Sequence, residues 1–242
     1  MPRRLVLKPI DSSFSLKDHI YEALKDGITS MNIYAEDAVL KLDERQLSEQ
    51  LRISRTPIRE ALARLEQEGL VRILPRKGVM IVRKSVGEIL EMIIAWAALE
   101  SMAARLATSR ARDAEIGSLR RMLAKFSQEE VRTHIDEYSE INIKFHQRIL
   151  ELSKCALLKQ IADGLFIHMR AIRARTMAEG DRVRRSIVDH AHIIEALEGR
   201  DADLAERLVR EHTLHLHAHV QRTWVEPDWG RASRRAELQA RV

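Results

Sequence analysis

Cysteine is almost missing from this chain: Cys155 is the only one among 242 residues. No internal disulfide framework is possible, a reducing cytoplasm is the simplest setting, and Cys155 itself reads as a small apolar residue rather than a redox group. Aromatic residues are scarce, at 4%, and the apolar stripes along the chain are aliphatic. Long hydrophobic runs are absent too. No window of about 20 residues is free of charge, which excludes a membrane-spanning helix. The opening MPRRLVLKPIDSS lacks the apolar stretch and small-residue cleavage site of a signal peptide. There is no internal repeat, no low-complexity segment and no HExxH pair, so the pattern of a zinc hydrolase with a general base beside its ligands is not met.

What is present describes an ordinary soluble protein, 45% hydrophobic and 32% charged. A formal charge of +5 permits a polyanionic partner without requiring one. The charge is unevenly placed: residues 45–84 hold ten Lys or Arg against four Glu, a local net of +6. In the same region Leu47, Leu51 and Ile53, then Ile58, Leu62, Leu65 and Leu70, recur at helical spacing in two short runs with a turn near Arg52. That is the pattern of a helix-turn-helix. Asp43 and Gln46 have capping-box spacing for the first helix, and the second begins at Ser54 or Thr56. With Thr56 as the cap, Pro57 falls at the first helical position. Gly69 suits a left-handed C-terminal cap. Residues 71–74 and 79–82 are β-prone and flank the basic tip Pro75-Arg76-Lys77-Gly78, which reads as a wing.

A recognition helix contacts base edges with its first turns, and the planar fork of Arg can bond guanine O6 and N7 together. Arg55, Thr56 and Arg59 stand there. The stretch LSEQLRISRTPIREALARLEQEGLV resembles the winged helix of the GntR family of bacterial transcription regulators. The resemblance implies DNA contacts from Arg45, Ser54, Arg55, Thr56 and Arg59 and from the wing tip Arg76, Lys77 and Gly78. Arg52 departs from the family's usual Gly, and a left-handed turn there costs roughly 1 kcal/mol.

Before this region, Leu16, Ile20, Leu24 and Ile28 repeat every four residues and predict a first helix packed behind the reading pair, joined to it by a connector over 32–42. After Val82 the pattern is helical to about Trp224, with helices expected over 85–108, 113–126, 134–152, 156–177, 182–197 and 201–223. The fold expected is mainly α: a winged helix-turn-helix domain over 1–84, an all-α six-helix bundle over 85–226, and a basic tail over 227–242.

Nine of the ten histidines lie at or after residue 134. Asn142 and His146 are four apart and share a helix face. Imidazoles from several helices of one bundle can hold a divalent metal, although spacing alone is weak support for it. Residues 86–220 resemble the FCD ligand-binding domain of the FadR branch of the GntR family, in its six-helix, VanR-like form. That resemblance implies a metal site at Asn142, His146, His190 and His212, the last two within DHAHIIEAL and RDADLAERLVREH. Zinc, nickel and manganese are not distinguished. Asn142 replaces the family's usual Asp, a weaker ligand that leaves one more positive charge uncompensated. His192, His215, His217 and His219 have no counterpart in that set.

Trp96 stands where the family often has an Arg, three residues before Leu99-Glu100, and Cys155 stands where it often has an Asn. His168 and Arg173 flank the inward stripe Leu158, Ala162, Leu165, Met169 and Ile172. Trp96, His168 and Arg173 are therefore the candidate effector-pocket residues, each with a plainer reading as core filler or solvated flank. The function expected is a cytoplasmic, ligand-responsive regulator, a repressor that binds a pseudo-palindromic operator as a homodimer and answers to a small organic acid. Two alternatives are a sensor for which the ion itself is the signal and, further off, a metal-dependent hydrolase.

Overall fold

The computed structural model describes residues 16–35, 38–124, 135–177, 179 and 181–224. The expected tail over 227–242 and the far end of the helix expected over 113–126 lie outside the described residues. Close contacts divide the chain into two compact units, residues 1–31 with 39–82 and residues 32–38 with 83–242.

The first unit runs α1 Leu16–Ser30, β1 Lys41–Leu42, α2 Glu44–Leu51, α3 Arg55–Gln67, β2 Val71–Leu74 and β3 Gly78–Ile81. Helix α1 buries Ile20, Tyr21, Leu24 and Ile28 and packs on α3, which buries Ile58, Ala61, Leu62 and Leu65. Leu16, the first member of the expected stripe, is exposed. Asp43 caps α2 by accepting from the amides of Arg45 at 2.8 Å and Gln46 at 3.1 Å. The turn after α2 puts Arg52 at φ 55°, in the left-handed region. The Ser48 hydroxyl donates to the Ile53 carbonyl at 2.6 Å and holds that turn closed.

Helix α3 starts two residues earlier than a Thr56 cap requires. Ser54 is the N-cap, so Pro57 becomes the third helical residue. The placement costs no hydrogen bond, because the first four amides of a helix have no intrahelical acceptor. Gly69 takes φ 73° and ends the helix as expected, with the Leu70 amide reaching back to the Leu65 carbonyl at 3.0 Å. The sheet is antiparallel in the order β1-β3-β2, with Val71 opposite Ile81 and Leu74 opposite Gly78. Its third strand, β1, was not expected: two residues in a connector are too short for an alternation signal.

The second unit contains six helices among the described residues: α4 Val86–Arg110, α5 Asp113–Leu123, α6 Ile135–Leu152, α7 Ala156–Met177, α8 Arg182–Glu198 and α9 Ala202–Thr223. Ser85 and Glu88 form a reciprocal capping box at the start of α4. This long helix is central and packs against α6, α7, α8 and, most extensively, α9. Its buried Ala97, Ala103, Ala104 and Ala107 let the neighbouring backbones approach closely. After α8, Arg200 takes φ 57° and donates from Nη1 to the Thr108 carbonyl at 2.8 Å and the Ala111 carbonyl at 2.7 Å, closing the end of α4. Residues 32–38 group with this unit, where Ile33 and Tyr34 are buried and Arg83 Nη2 donates to the Ala35 carbonyl at 2.6 Å.

Candidate nucleic-acid interface and metal centre

In the first unit, the head of α3 and the β2–β3 turn meet around one open groove. It is lined by Arg45, Arg55, Arg59, Arg76, Lys77 and Gly78, together with the acidic Asp43 and Glu44. Ser54 and Thr56 do not line it, but both are exposed at the start of α3. Arg59 Nε donates to Glu44 at 2.6 Å and Arg45 Nε to Glu49 at 2.9 Å. Exposed pairs of this kind are worth about 0.2–1 kcal/mol and exchange readily for phosphate. Arg55 has no carboxylate partner among the described residues. At the wing tip the Lys77 amide donates to the Leu74 carbonyl at 3.0 Å, with Pro75 and Arg76 between them and Arg76 at φ 64°. Pro followed by a residue of positive φ is the type II pattern, and it carries Arg76 and Lys77 at the outermost point of the hairpin.

The second unit holds a polar cluster inside an otherwise aliphatic bundle. One ring nitrogen from each of His146, His190 and His212 lies within 4.8 Å of the others. All three rings are buried. Their positions follow from helix geometry: α6, α8 and α9 each turn one face toward α4 and bring one imidazole to the same depth. The His212 Nδ1 lies 2.9 Å from an Asp189 oxygen, and His146 Nδ1 is hydrogen-bonded to Glu100 Oε1. Arg173 Nη1 sits 2.7 Å from His146 Nε2, and a guanidinium only donates. His146 therefore carries its proton on Nδ1 and donates it to Glu100. Glu100 Oε2 also accepts from Trp96 Nε1 at 2.7 Å and Thr213 Oγ1 at 3.2 Å.

Burial holds the imidazoles of His146 and His190 well below their ordinary value, with the charge of Arg173 acting in the same direction. His212 is also lowered, chiefly by burial, against the opposing pull of Asp189. Burial raises the carboxyl of Glu100, and Arg173 opposes that rise. Neutral imidazoles backed by carboxylates are the form in which histidines ligate metals.

The donor set passes a further test. Both ring nitrogens of His190 and the Oδ1 of Asn142 are buried with no hydrogen-bond partner, a costly state for polar atoms. Asn142 donates through Nδ2 to Ser186 Oγ at 3.0 Å, so Oδ1 is the atom left over. These residues fit a divalent ion once Arg173 Nη1 gives up the Nε2 of His146, the ring nitrogen that faces the cluster.

Of the three expected pocket residues, Trp96 and Arg173 join this cluster and His168 does not. His168 Nδ1 pairs with the Tyr34 hydroxyl at 3.2 Å. Five residues separate it from Arg173, about 140° around the helix, which turns the two side chains to different faces. Neither is a solvated flank, since both are almost fully buried. Cys155 is half-buried, and its amide donates to Ser153 Oγ at 3.2 Å. Sequence reasoning missed Glu100, Asp189 and Tyr34. Asp189 had a signal, standing beside His190 in DHAH; the others are distant in sequence from what they touch.

Residues 16–81 match the model of the bacterial regulatory proteins, gntR family, and residues 90–215 match the FCD domain. The chain belongs to the GntR family, with an FCD domain. This GntR chain is 31% identical over 172 residues to the Nta operon transcriptional regulator of Aminobacter aminovorans, covering 71% of this chain and 80% of that protein. It is 25% identical over 189 residues to the HTH-type transcriptional repressor RspR of Escherichia coli, covering 78% and 83%. The solved structure titled E. coli McbR/YncC superposes with a TM-score of 0.73 at 22% identity, over 88% of this chain and all of that one, a likeness of fold. The winged helix-turn-helix and the helical domain are thus established, and the protein is a transcription regulator rather than an enzyme. No described helix is long and apolar enough to cross a membrane.

Proposed function

We propose that this GntR regulator represses transcription by binding a pseudo-palindromic operator as a homodimer, and that a small organic acid releases it. In this reading residues 1–84 bind DNA, 85–226 bind effector and partner, and 227–242 form a basic tail in the cytoplasmic protein. Arg55, Thr56 and Arg59 read bases in the major groove, while Arg45, Ser54, Arg76, Lys77 and Gly78 hold the phosphate backbone. Two-fold symmetry of the protein matches two half-sites. Exposed Ile94 and Met102 on α4 and Leu157 and Ile161 on α7 support a second copy against neighbouring helices.

The observation that carries the effector reading is the convergence of three buried, neutral histidines beside two sets of unpartnered polar atoms. His146, His190, His212 and the Oδ1 of Asn142 would hold a divalent transition metal. Bound there, such an ion supplies a Lewis-acidic anchor for a carboxylate oxygen. Glu100 and Asp189 fix the ring tautomers, and Trp96 closes one wall while holding Glu100. The effector has to favour the arrangement that cannot bind DNA, or it cannot release the operator. His168 is assigned to coupling: it ties α7, which also carries Arg173, to Tyr34 in the segment that precedes β1.

Elemental analysis of protein purified without added metal, together with operator titration, tests this reading. About one transition metal per chain is expected, lost in His146→Ala while the winged helix stays folded. Undiminished metal in that variant sinks the assignment. Operator affinity that follows metal concentration with no organic ligand present selects the metal-sensor alternative instead.

A further inference from the structure

Among the described residues Gly69 and Gly78 take positive φ, and so do four residues with side chains: Arg52, Arg76, Lys154 and Arg200. All four are basic. A left-handed residue other than Gly costs roughly 1 kcal/mol, so a side chain kept there is expected to offset the strain. Gly69 shows the unstrained solution, in open space where a Cβ would meet nothing within 4 Å. In the second unit both basic residues have internal partners. Arg200 Nη1 donates to the Thr108 and Ala111 carbonyls at 2.8 and 2.7 Å, and Lys154 Nζ pairs with Glu115. In the first unit neither does: the Arg52 and Arg76 guanidiniums are exposed and make no hydrogen bond or ion pair with a described residue.

The turn itself does not need the Arg52 side chain. It is closed by the Ile53 amide on the Ser48 carbonyl at 3.2 Å and by the Ser48 hydroxyl on the Ile53 carbonyl at 2.6 Å, bonds that a Gly at position 52 would leave in place. What singles Arg52 out is where it stands. It lies two residues before Ser54, the N-cap of α3, and two residues of chain span at most about 7 Å. In a helix-turn-helix the first helix crosses the DNA backbone while the second enters the major groove, so the turn between them passes the groove edge, along a row of phosphates. Arg76 shares the unusual backbone, the charge and the lack of an internal partner, and it lines the groove between α3 and the wing.

We infer that Arg52 is a further DNA-binding residue, whose guanidinium holds a backbone phosphate at the groove edge and so offsets the strain of its turn. A planar fork of N–H donors takes two phosphate oxygens together, which Gly at this position cannot do. The contact is to the backbone alone. It strengthens binding to every sequence alike and leaves base choice to Arg55 and Arg59. The inference rests on the proposed reading of DNA by α3 and adds a contact outside the residues named there.

The test is binding of the full-length protein to a random-sequence duplex about three helical turns long, followed by fluorescence anisotropy over a series of KCl concentrations. Losing one phosphate contact lowers the slope of log K against log salt by about 0.9 for each chain bound. Arg52→Gly and Arg52→Gln should both show that drop and bind roughly tenfold more weakly per chain near about 0.1 M salt, while Arg52→Lys keeps most of the slope. Arg52→Gly should keep its thermal midpoint within about 4 °C of the wild type. Arg200→Gln, whose side chain works inside the protein, should lower the midpoint and leave the slope alone. An unchanged slope in Arg52→Gly and Arg52→Gln overturns the inference. So does a larger fall of the midpoint shared by both, which would give the side chain an internal role. Arg55→Ala and Arg76→Gln separate the two levels: if they lower the slope and the Arg52 variants do not, Arg52 alone is withdrawn, whereas if no variant lowers it the DNA contacts of the proposed function fail as well.

Discussion

The two units place their functional groups in opposite environments. In the winged helix the basic side chains stand in water around an open groove, and the described core behind them is apolar apart from the Tyr21 hydroxyl, which donates to Glu68. In the FCD domain the polar groups are in the core itself: Glu100, Asn142, His146, His168, Arg173, His190 and His212 are all buried. A surface that binds DNA needs only exposed charge on a rigid support, because the phosphates supply the counter-charge. An interior site has to satisfy every polar atom internally or leave some for a ligand, and this one leaves several. Substitutions in the two units should therefore fail differently, by loss of scaffold in the first and by loss of ligand response in the second.

The largest effect is expected from the scaffold. Leu65→Ala empties a fully buried position between α1 and α3, and should cost about 2–5 kcal/mol of stability in the first unit. Denaturant melts followed by a probe in that unit would show it; a loss below about 1 kcal/mol would mean that the site collapses freely.

A pH effect in the second unit comes next. Burial lowers His168 from 6.5 to about 4. Between those values the unfolded chain takes up a proton that the folded one refuses. Its contribution is thus complete above about pH 6.5, falls as pH drops through the window and levels off below about 4. The loss is about 3 kcal/mol at most. His168→Gln should flatten this part of the stability profile of metal-free protein; an unchanged slope would remove His168 as its source.

Base reading ranks third. Arg55→Ala or Arg59→Ala should cost roughly 1–3 kcal/mol of specific operator affinity if each makes a bidentate guanine contact. Fluorescence anisotropy against specific and random duplexes separates this from a phosphate contact, which weakens both alike. Unchanged affinity in both variants would defeat the recognition-helix assignment.

The smallest effect lies at the turn between α2 and α3. Arg52 has φ 55°, and Arg52→Gly relieves strain in the folded state while adding freedom to the unfolded one, so the change should stay within about 1 kcal/mol. A larger shift would show that the Arg52 side chain has a structural role.

Much of this molecule was legible in advance, for identifiable reasons. The helices of the second unit were readable because aliphatic residues at 3.6-residue spacing are a local signal. The same holds for Gly69, whose backbone freedom matches its φ of 73°. Ser54 against Thr56 as the cap of α3 was not decidable, since both have the right chemistry and Pro57 is tolerated anywhere in the first turn. The histidines were recognisable through family resemblance, but His168 and Arg173 looked alike as flanks of one stripe. Only the neighbouring helices separate them, sending one to Tyr34 and the other to His146.

The sequence by itself determined the order of the helices and the basic character of the first unit's groove, because propensity, periodicity and charge act between residues close in the chain, while the three histidines came from family resemblance. Tertiary structure alone decided which atoms were left without partners. Arg173, Glu100 and Asp189 acquire their roles from contacts made across helices, and the energy of a buried charge depends on everything packed around it rather than on the residues beside it in the chain.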